Sequence, residues 1–571
     1  MLKKMRLKDF KIHQFFYHIS LLYIYMMAVN ILIAAIFFAI GKSMNWYFLP
    51  LSFCISIAIL CFFYDDIIDK KFIYEILVAI AILLVCIYFA GKFYDTSWDG
   101  NAYHKLAIGL LKNHWNPLYN TPDGNVSLDI LGIENTGSGL WVEAYCKATW
   151  FLGASIYFLT GNIETGKAYT IIGMICVFFI TFYFLRKKRK RMHFCLLFSL
   201  AAMLNPIAVQ QIDSFYIDGF LQSMLYILVV ALYMNITEKN KKKLKTSASL
   251  IAASMIICGN IKFTGLLYGG IFCIVYFLWY CVKEAHNKEI YWVKKCIKRG
   301  MAYAALAFVT IFWAGSSSYL TNFINHGTFT YPLTGKNPVD IMSANSPFED
   351  TNHFKNLFIS LFSEMDNLKV TSNRVPTLKV PFTLNWESES AMLDLPDARI
   401  SGFGFFFSGL LIIAIILILI KLLRMKKNAD FYLLLINVLV CIALSIGITE
   451  SWWARYAPYI YFILLMGLYI ILDAKKIYAY AIGTLMAVIV CVNGAIFLYS
   501  LPEEMKFSKQ VFSQIKELNN YKLIDVYTTS FSGLYFNLKD LGVYYSVNDN
   551  LANDDTAIAL GYLDIKYKIQ E

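Results

Sequence analysis

Residues 72–91 read FIYEILVAIAILLVCIYFAG, and residues 94–111, which follow almost at once, read YDTSWDGNAYHKLAIGLL. The first stretch is long and apolar enough to cross the hydrocarbon core of a bilayer as one helix. The second stretch is polar and begins where the apolar run ends. It presents, in chain order, Asp95, Trp98, Asp99, Tyr103 and His104. The two stretches together predict a membrane-spanning helix followed by a loop at the membrane surface that carries acidic, aromatic and histidine side chains.

The whole chain repeats the apolar pattern of residues 72–91. It has 571 residues, of which 58% are hydrophobic and 16% are charged, whereas soluble proteins carry about 25% charged residues. This composition excludes a soluble globular protein and predicts an all-α polytopic membrane protein, since a helix satisfies its own backbone hydrogen bonds in lipid. Thirteen spans are predicted, at 16–41, 46–64, 72–93, 166–185, 193–212, 219–236, 246–259, 264–282, 301–319, 403–420, 431–448, 459–473 and 477–499.

The basic residues orient these spans. Of the 51 Lys and Arg residues, 30 lie in short segments that share one side of the membrane if the N-terminus is cytoplasmic. The positive-inside rule therefore predicts a cytoplasmic N-terminus and an extracytoplasmic C-terminus. The block RKKRKR at 186–191 is explained by topology, so the net charge of +12 does not indicate a nucleic-acid partner. The 12 cysteines avoid the large polar regions 320–398 and 500–571, which excludes a disulfide framework there.

Counting crossings assigns the remaining segments. Residues 140–160 resemble a span, but a crossing there would move the basic block to the outer side, so we predict an interfacial or re-entrant helix on the outer face. Residues 1–499 then form a membrane module, and residues 500–571 form a small extracytoplasmic domain of α/β or mostly β structure. The outer loops of the membrane module are 94–165, 213–218, 320–402 and 449–458.

In the first outer loop, apolar residues recur at helical spacing after Asp99. The pattern predicts an amphipathic helix on the membrane surface, with His104 and Lys105 on its polar side. Asp before a helix is a good N-cap, so capping and catalysis are both open readings of Asp99, and we expect both roles.

Two shorter outer turns carry costly charges. The turn QQIDSFYIDGF (210–220) places Asp213 and Asp218 near membrane depth, where a carboxylate is expensive unless it is paired or used, although Asp-Gly is also a common turn pair. The turn TESWWARYAP (449–458) offers Arg455, which is well shaped to bind a phosphate. A snorkelling arginine or a salt bridge to Glu450 is the structural alternative.

These motifs together resemble the GT-C superfamily of membrane glycosyltransferases, which includes protein O-mannosyltransferases and lipid A aminoarabinose transferases. The resemblance rests on DGNAY (99–103), on Asp218 in the next short outer loop, on RYAP (455–458) and on GTFTYPL (327–333). Gly100 stands where the family usually has a second acid, and Asp95 is a candidate to compensate for it.

The resemblance implies a sugar donor linked to a polyprenyl phosphate, such as undecaprenyl phosphate, and inverting transfer to a glycan, lipid or protein hydroxyl. It implies an extracytoplasmic site in the bacterial cytoplasmic membrane, in cell-envelope polysaccharide or lipopolysaccharide biosynthesis. Asp99 is then the general base, with Asp218 and Asp95 as further catalytic acids, and the donor phosphate meets Arg455, Lys262, Lys105 and His104. The expected substrate contacts are Trp98, Tyr103, Asp213, Glu450, Trp452, Trp453 and Tyr456.

Other functions share some of these features. A divalent cation, Mg²⁺ or Mn²⁺, held by Asp99, Asp218 and a histidine stays open, although no ligand spacing argues for it. A polysaccharide polymerase or ligase would use the same compartment and lipid carrier. A lipid-linked glycan flippase predicts charges along a path through the membrane, whereas the predicted spans are nearly uncharged. A structural scaffold gives no reason for acids and an arginine in three separate outer turns.

Overall fold

Helices make up most of the computed structural model. The structure describes residues 12–63, 70–121, 139–287, 290–341, 345–348, 352–369, 371–372, 374–528, 531–560 and 565–570. The first twelve α-helices are α1 (Ile12–Ala39), α2 (Phe48–Phe63), α3 (Lys70–Ala90), α4 (Lys105–Lys112), α5 (Gly139–Ala144), α6 (Ala148–Thr160), α7 (Tyr169–Lys187), α8 (Met192–Met203), α9 (Pro206–Gln210), α10 (Asp218–Thr237), α11 (Lys241–Ile261) and α12 (Phe263–His286).

The second part of the chain adds ten α-helices and a small sheet. The helices are α13 (Trp292–Phe308), α14 (Thr321–His326), α15 (His353–Leu361), α16 (Trp386–Glu389), α17 (Phe407–Arg424), α18 (Ala429–Gly447), α19 (Pro458–Leu472), α20 (Ile477–Ala495), α21 (Leu501–Leu518) and α22 (Leu534–Asp540). The strands are β1 (Ile524–Tyr527), β2 (Tyr545–Val547), β3 (Ile558–Ala559) and β4 (Lys566–Ile569).

Shorter helical turns connect these elements. π-Helical turns occupy Gly100–His104, Val309–Ala314 and Ser316–Leu320. 3₁₀ turns occupy Ile163–Lys167, Ser390–Met392, Thr449–Trp452, Ala454–Tyr456, Ile496–Tyr499 and Asp549–Asn553.

The predicted class of a polytopic α-helical membrane protein with a small C-terminal appendage is confirmed. Within the described residues, ten helical segments are long and apolar enough to cross a membrane, and they contain α1, α3, α7, α10, α11, α12, α13, α17, α18 and α20. The other three predicted spans coincide with the shorter apolar helices α2, α8 and α19. Pro206 separates α8 from α9, and Asn205 caps α9 by accepting from the Ile207 amide.

The segment predicted to be interfacial or re-entrant contains α5 and α6. Helix α6 has 13 residues, which at 1.5 Å per residue is about 20 Å and shorter than the hydrocarbon core. Its residues 148–157 are all buried against neighbouring helices. Helix α1 is also buried along most of its length and packs against α2, α7, α11 and α6, as expected for a helix that is apolar on every side.

The C-terminal appendage is an α/β unit that packs on the first outer loop. Its sheet has the strand order β2-β1-β4-β3, with β1 parallel to β2 and antiparallel to β4. The Tyr94 amide donates to Ser508 Oγ at 2.9 Å, and the Gly533 amide donates to the Asn101 carbonyl at 3.0 Å. A Cβ at position 533 would lie 2.8 Å from that carbonyl oxygen, so only glycine permits this approach. The appendage therefore covers the predicted catalytic loop.

Candidate functional site

The first outer loop is more deeply buried than its sequence predicts. Residues 100–104 form the π-helical turn, α4 follows directly, and residues 100–111 are all buried. The predicted amphipathic helix therefore forms, but it is enclosed by protein instead of lying on the membrane surface. Its polar side faces other protein groups rather than water, because the C-terminal appendage lies over it.

Asp99 does not cap this helical turn. It occupies the N-cap position, but its side chain makes no capping hydrogen bond. The prediction that Asp99 caps the helix is therefore wrong, whereas its predicted catalytic role stays a prediction. The carboxylate instead accepts from Arg455 Nη1 at 3.3 Å.

Gly100 has a local packing reason. A Cβ at this position would lie 1.7 Å from Asp95 Oδ2 and 2.4 Å from Ser97 Oγ. Asp95 itself is fully buried, and its carboxylate accepts from the Ser97 and Phe215 amides. The acid that the GT-C resemblance expects at position 100 therefore has no room here, because the Asp95 carboxylate occupies that space.

Arg455 lies at the centre of a cluster of carboxylates. Its Nη1 is 3.3 Å from Asp99 Oδ2 and 3.7 Å from Asp218 Oδ2. Its Nε is 3.3 Å from Asp397 Oδ1. The arginine stands on the 3₁₀ turn Ala454–Tyr456, directly before the proline that begins α19. Four separate segments of the chain thus meet at one guanidinium, and we call these four residues the Arg455 cluster.

Lys262 adds a second cation to this site. It is the one residue between α11 and α12, where the backbone is extended, so it lies at the tip of a helical hairpin. Its Nζ donates to Asp218 Oδ1 at 2.8 Å and lies 3.9 Å from the centre of the Tyr456 ring. Asp218 begins α10, so it bridges the two cations from a helix N-terminus, a position that favours a carboxylate.

Asp397 is a member of the site that the sequence reading missed. Besides its ion pair with Arg455, its carboxylate accepts a hydrogen bond from Trp453 Nε1 at 2.7 Å. Burial raises the pKa of its carboxyl to about 6, against the lowering effect of Arg455 and Arg399. The available signal was the pair Asp397 and Arg399 in the stretch LPDAR, but it lies in a long loop with many other acids.

Aromatic rings enclose the guanidinium. Its central carbon lies 4.4 Å from the Trp453 ring centre and 5.0 Å from the centres of both the Tyr216 and Tyr456 rings. Such rings attract a cation through the negative faces of their π-systems. Burial lowers the pKa of Arg455, but the neighbouring carboxylates, Asp397 foremost, raise it well above its ordinary value. Arg455 is therefore a fixed cation at any working pH.

Lys105 belongs to a different cluster, which Asp95 adjoins because its amide donates to Glu164 Oε2 at 3.2 Å. Lys105 Nζ is 2.6 Å from Glu164 Oε1, and Lys167 Nζ pairs with Glu164 Oε2. The side chains of all three are fully buried. Asn537 of the appendage donates to Glu164 Oε1 at 3.0 Å and accepts from Lys105 at 3.3 Å. We call Lys105, Glu164 and Lys167 the Glu164 cluster, and it packs beneath the loop that carries Asp99.

Three further residues that were predicted to contact the substrate, Trp98, Trp452 and Glu450, have other protein groups as neighbours. Trp98 is 51% exposed and meets Phe531 of the appendage edge-on. Trp452 stacks on Trp453 with ring centres 5.4 Å apart. The Glu450 carboxylate accepts from Thr449 Oγ1, which is a different partner from the predicted Arg455.

Asp213 and Tyr103 complete the predicted set. Burial raises the pKa of Asp213 to about 7, and the charges that act on it come from Lys167, Asp95 and Asp394. Tyr103 is buried and packs against His104, with ring centres 4.4 Å apart.

The carboxylates do not converge as a metal site. Within the described residues, no group of three or more His, Cys, Asp or Glu side chains could hold a metal ion. The three acids of the Arg455 cluster instead surround a guanidinium that already supplies positive charge.

An apolar groove lies along α12, the helix that follows Lys262. Its volume is about 580 Å³, and it lies between α12 and α18. On the α12 side, Leu267, Ile271 and Val275 share one helix face, and Lys262 stands just before that helix. At 1.5 Å per residue, Val275 lies about 20 Å along the helix from Lys262. On the α18 side the groove reaches Ile448, where the turn that leads to Arg455 begins.

Comparison with known proteins adds a structural likeness. No protein-family model matches the chain, and no curated protein matches it. The fold is similar to the crystal structure of ArnT from Cupriavidus metallidurans in the apo state, with a TM-score of 0.43 and 10% identity. The match covers 87% of this chain and 98% of that chain. A likeness at this level says nothing about the chemistry of the site.

Proposed function

We propose that this chain is a GT-C-type glycosyltransferase. It moves a sugar from a polyprenyl-phosphate donor to a hydroxyl of a glycan or lipid-linked acceptor on the outer face of the bacterial cytoplasmic membrane. The observation that carries this proposal is the Arg455 cluster together with Lys262, where two cations and three carboxylates meet. Lys262 lies five residues before Leu267, the first residue along α12 that lines the apolar groove. Such a site joins a phosphate-binding centre to a place for a hydrocarbon tail.

The cations hold the donor phosphate in this proposal. Arg455 presents a planar fork that matches phosphate oxygens, and Lys262 supplies a second point charge. A phosphate leaving group needs stabilisation of its negative charge, and fixed cations in a buried site supply it. No separate acid is then required to protonate the leaving oxygen.

Asp99 is the general base. It takes the proton of the acceptor hydroxyl while that oxygen forms a bond to the anomeric carbon and the bond from this carbon to the phosphate oxygen breaks. The electron pair of the broken bond leaves with the polyprenyl phosphate, and the anomeric configuration inverts. Asp218 holds Lys262 and Arg455 in place between the two substrates.

Donor binding also prepares the base. Without substrate, Asp99 shares Arg455 with two other carboxylates. A bound phosphate competes for the same guanidinium and releases Asp99 for proton transfer. In this proposal the donor binds before the acceptor is activated.

The apolar groove suits the donor tail. Its lining residues are all apolar, and the groove runs from the level of Lys262 and Arg455 along α12 and α18. A prenyl chain in this groove places its terminal phosphate beside both cations. This arrangement explains why the reaction takes place in a membrane protein.

The proposed topology has a cytoplasmic N-terminus and an extracytoplasmic C-terminus. Support comes from the contacts of the appendage with the first loop, which put residues 94–112 and 501–540 at the same end of the helices. The basic block at 186–191 lies in a different connection, between α7 and α8. The positive-inside rule then puts the site outside.

Asp99→Asn tests the proposal. The enzyme is assayed in membranes with a radiolabelled polyprenyl-phosphate sugar, and the substitution lowers kcat by about 10²–10⁴ because general-base catalysis is lost. The matched control is Asp366→Asn, another outer carboxylate that pairs with an arginine, Arg374. It keeps the wild-type rate, and both variants keep the wild-type unfolding temperature.

Two outcomes count against the proposal. Transfer by a well-folded Asp99→Asn variant at the wild-type rate removes Asp99 from the base role, and Asp95→Asn is then the next variant to assay. Movement of the intact lipid-linked sugar across vesicles, with no sugar transfer to any acceptor, assigns the chain to the flippase class instead.

A further inference from the structure

His104 has an orphaned polar atom beside the Arg455 cluster. The side chain is 1% exposed. Within the part of the chain that the structure describes, its Nε2 has no hydrogen-bond partner. A buried donor or acceptor without a partner loses the hydrogen bonds that water would give it, so most such groups in proteins are paired. His104 Nε2 is therefore a candidate to form a hydrogen bond with a bound ligand.

The tautomer of His104 is fixed by its other nitrogen. Trp150 Nε1 can only donate, and it donates to His104 Nδ1 at 2.7 Å. Nδ1 is therefore the acceptor, and the ring proton lies on Nε2. Burial lowers the pKa of the imidazole to about 4, against the raising effect of Asp99 and Asp218. His104 is thus an uncharged donor whose N–H has a set direction.

The π-helical turn brings His104 towards Asp99. In this turn the Lys105 amide donates to the Gly100 carbonyl, five residues earlier. Residues five apart therefore share a face more closely than in a regular α-helix, and π-turns of this kind are frequent at functional sites. Asp99 and His104 are five apart. Besides burial, the charges that act on the pKa of His104 are those of Asp99, Asp218, Lys262 and Arg455, so the imidazole lies within electrostatic range of the Arg455 cluster.

The surroundings of the imidazole are aromatic. The Tyr103, Tyr145 and Trp150 ring centres lie 4.4, 6.4 and 5.9 Å from that of His104. Trp141 continues this wall, with its ring centre 6.3 Å from that of Tyr103. Aromatic walls with a few fixed polar groups are the usual lining of small-molecule sites. Aromatic surfaces of this kind can pack against the flat faces of a sugar, and the His104 N–H can donate a hydrogen bond to one sugar oxygen.

We propose that His104 Nε2–H donates to a hydroxyl oxygen of the transferred sugar or of the acceptor glycan and helps to determine which sugar the site accepts. This inference rests on the proposed glycosyltransferase function. A phosphate oxygen is the poorer match, because Arg455 and Lys262 offer charged donors for it, whereas His104 stays neutral. A site built to hydrogen-bond one hydroxyl rejects sugars that lack it, because the buried N–H is then left unpaired.

The test compares His104→Leu, which removes the donor, with His104→Gln, which restores an N–H on a side chain of similar reach. Steady-state kinetics give the KM for donor and the KM for acceptor separately. Binding of bare polyprenyl phosphate is measured on the same purified protein, and thermal unfolding reports folding. In His104→Leu, one of the two KM values rises about tenfold, as for the loss of one neutral hydrogen bond. In His104→Gln, most of this loss is recovered, and binding of polyprenyl phosphate stays at the wild-type level in both variants.

The outcomes distinguish a contact of His104 with the transferred sugar from a contact with the acceptor. A rise in the donor KM assigns the contact to the transferred sugar, and a rise in the acceptor KM assigns it to the acceptor. Weaker binding of bare polyprenyl phosphate overturns the inference in favour of a phosphate contact. Folded His104→Leu with wild-type values of both KM overturns it as well. If the wild-type protein transfers no sugar to any acceptor, the proposed function itself fails, and the His104 variants are then not what decides it.

Discussion

The Arg455 cluster and the Glu164 cluster are built from the same kinds of side chain but differ in closure. In the Glu164 cluster, Lys105 Nζ lies 2.6 Å from a Glu164 oxygen, and both side chains are fully buried. In the Arg455 cluster, the distances are 3.3–3.7 Å, and Asp99 retains 19% of its side-chain exposure. A tight, closed cluster has no capacity left for a ligand. A loose cluster with more carboxylates than cations can exchange one of its carboxylates for a phosphate.

The difference also separates two lysines that look alike in the sequence. Lys105 follows Asn101 by four residues, and Lys262 follows Asn260 by two. Each lysine pairs with one carboxylate, Glu164 or Asp218. Lys105 joins the loop to the appendage, whereas Lys262 stands at the upper end of the apolar groove. We therefore expect one to act on stability and the other on substrate binding.

Lys105→Met and Lys262→Met together test whether the two lysines differ in their roles in stability and in donor binding. Lys105→Met leaves the buried Glu164 with only one of its two lysines, and we expect it to lower the free energy of unfolding by about 3 kcal/mol. Lys262→Met also costs some stability, because it leaves the buried Asp218 with only Arg455, but its main effect is weaker donor binding. Thermal unfolding in detergent and the donor KM are measured for both. Lys105→Met with wild-type stability and impaired donor binding would instead support the predicted phosphate contact of Lys105.

Arg455→Lys sharpens the role of the looser cluster. The substitution keeps the charge but removes the planar fork that reaches three carboxylates and a phosphate. We expect kcat/KM for the donor to fall by about 10²–10³, the usual cost of one aligned electrostatic donor. Arg374→Lys is the matched control, since Arg374 is an exposed arginine that pairs with Asp366. Equal activity of both variants would mean that charge alone suffices at position 455.

The pH dependence of donor affinity gives the smallest expected effect. The folded-state pKa of Asp397 is raised to about 6, so below this pH the carboxyl is protonated and no longer competes for Arg455. Donor affinity should therefore increase on the order of tenfold between pH 7.5 and pH 5. Asp397→Asn removes this pH dependence and keeps the higher affinity throughout. Retention of the same pH profile in Asp397→Asn would assign the titration to another group.

The same raised pKa has a consequence for stability. Between the ordinary pKa of an aspartate and about 6, the folded protein binds a proton at Asp397 that the unfolded chain does not bind. The contribution of Asp397 to the free energy of unfolding therefore falls as the pH rises through this window.

Sequence patterns predicted the parts of the molecule that depend on local chemistry. The thirteen predicted spans each coincide with an apolar helix because hydropathy and helix length are properties of the local sequence. Asp218 and Arg455 were predicted as site residues because charges near the membrane are costly, and Asp99 because it begins the helix of the first loop and the DGNAY motif. The structure brings these three residues together.

The errors arose where distant segments meet. Lys105 was grouped with the phosphate ligands because nothing near it in the sequence reveals Glu164, which lies 59 positions later. The polar side of α4 was read as facing water, although it faces Asn537 from the end of the chain. Asp397 was missed because nine acidic residues share the long loop around it. Composition and periodicity cannot show which of them folds back onto Arg455.

The contact between Lys105 and Asn537 joins residues 432 positions apart. A ribosome that has made the first loop must still synthesise ten further spans and the appendage before this contact can form. The packing beneath Asp99 therefore forms only after residues 501–540 have been made. A chain that already contains Asp99, Asp218 and Arg455 still lacks the contacts that hold the first loop in place.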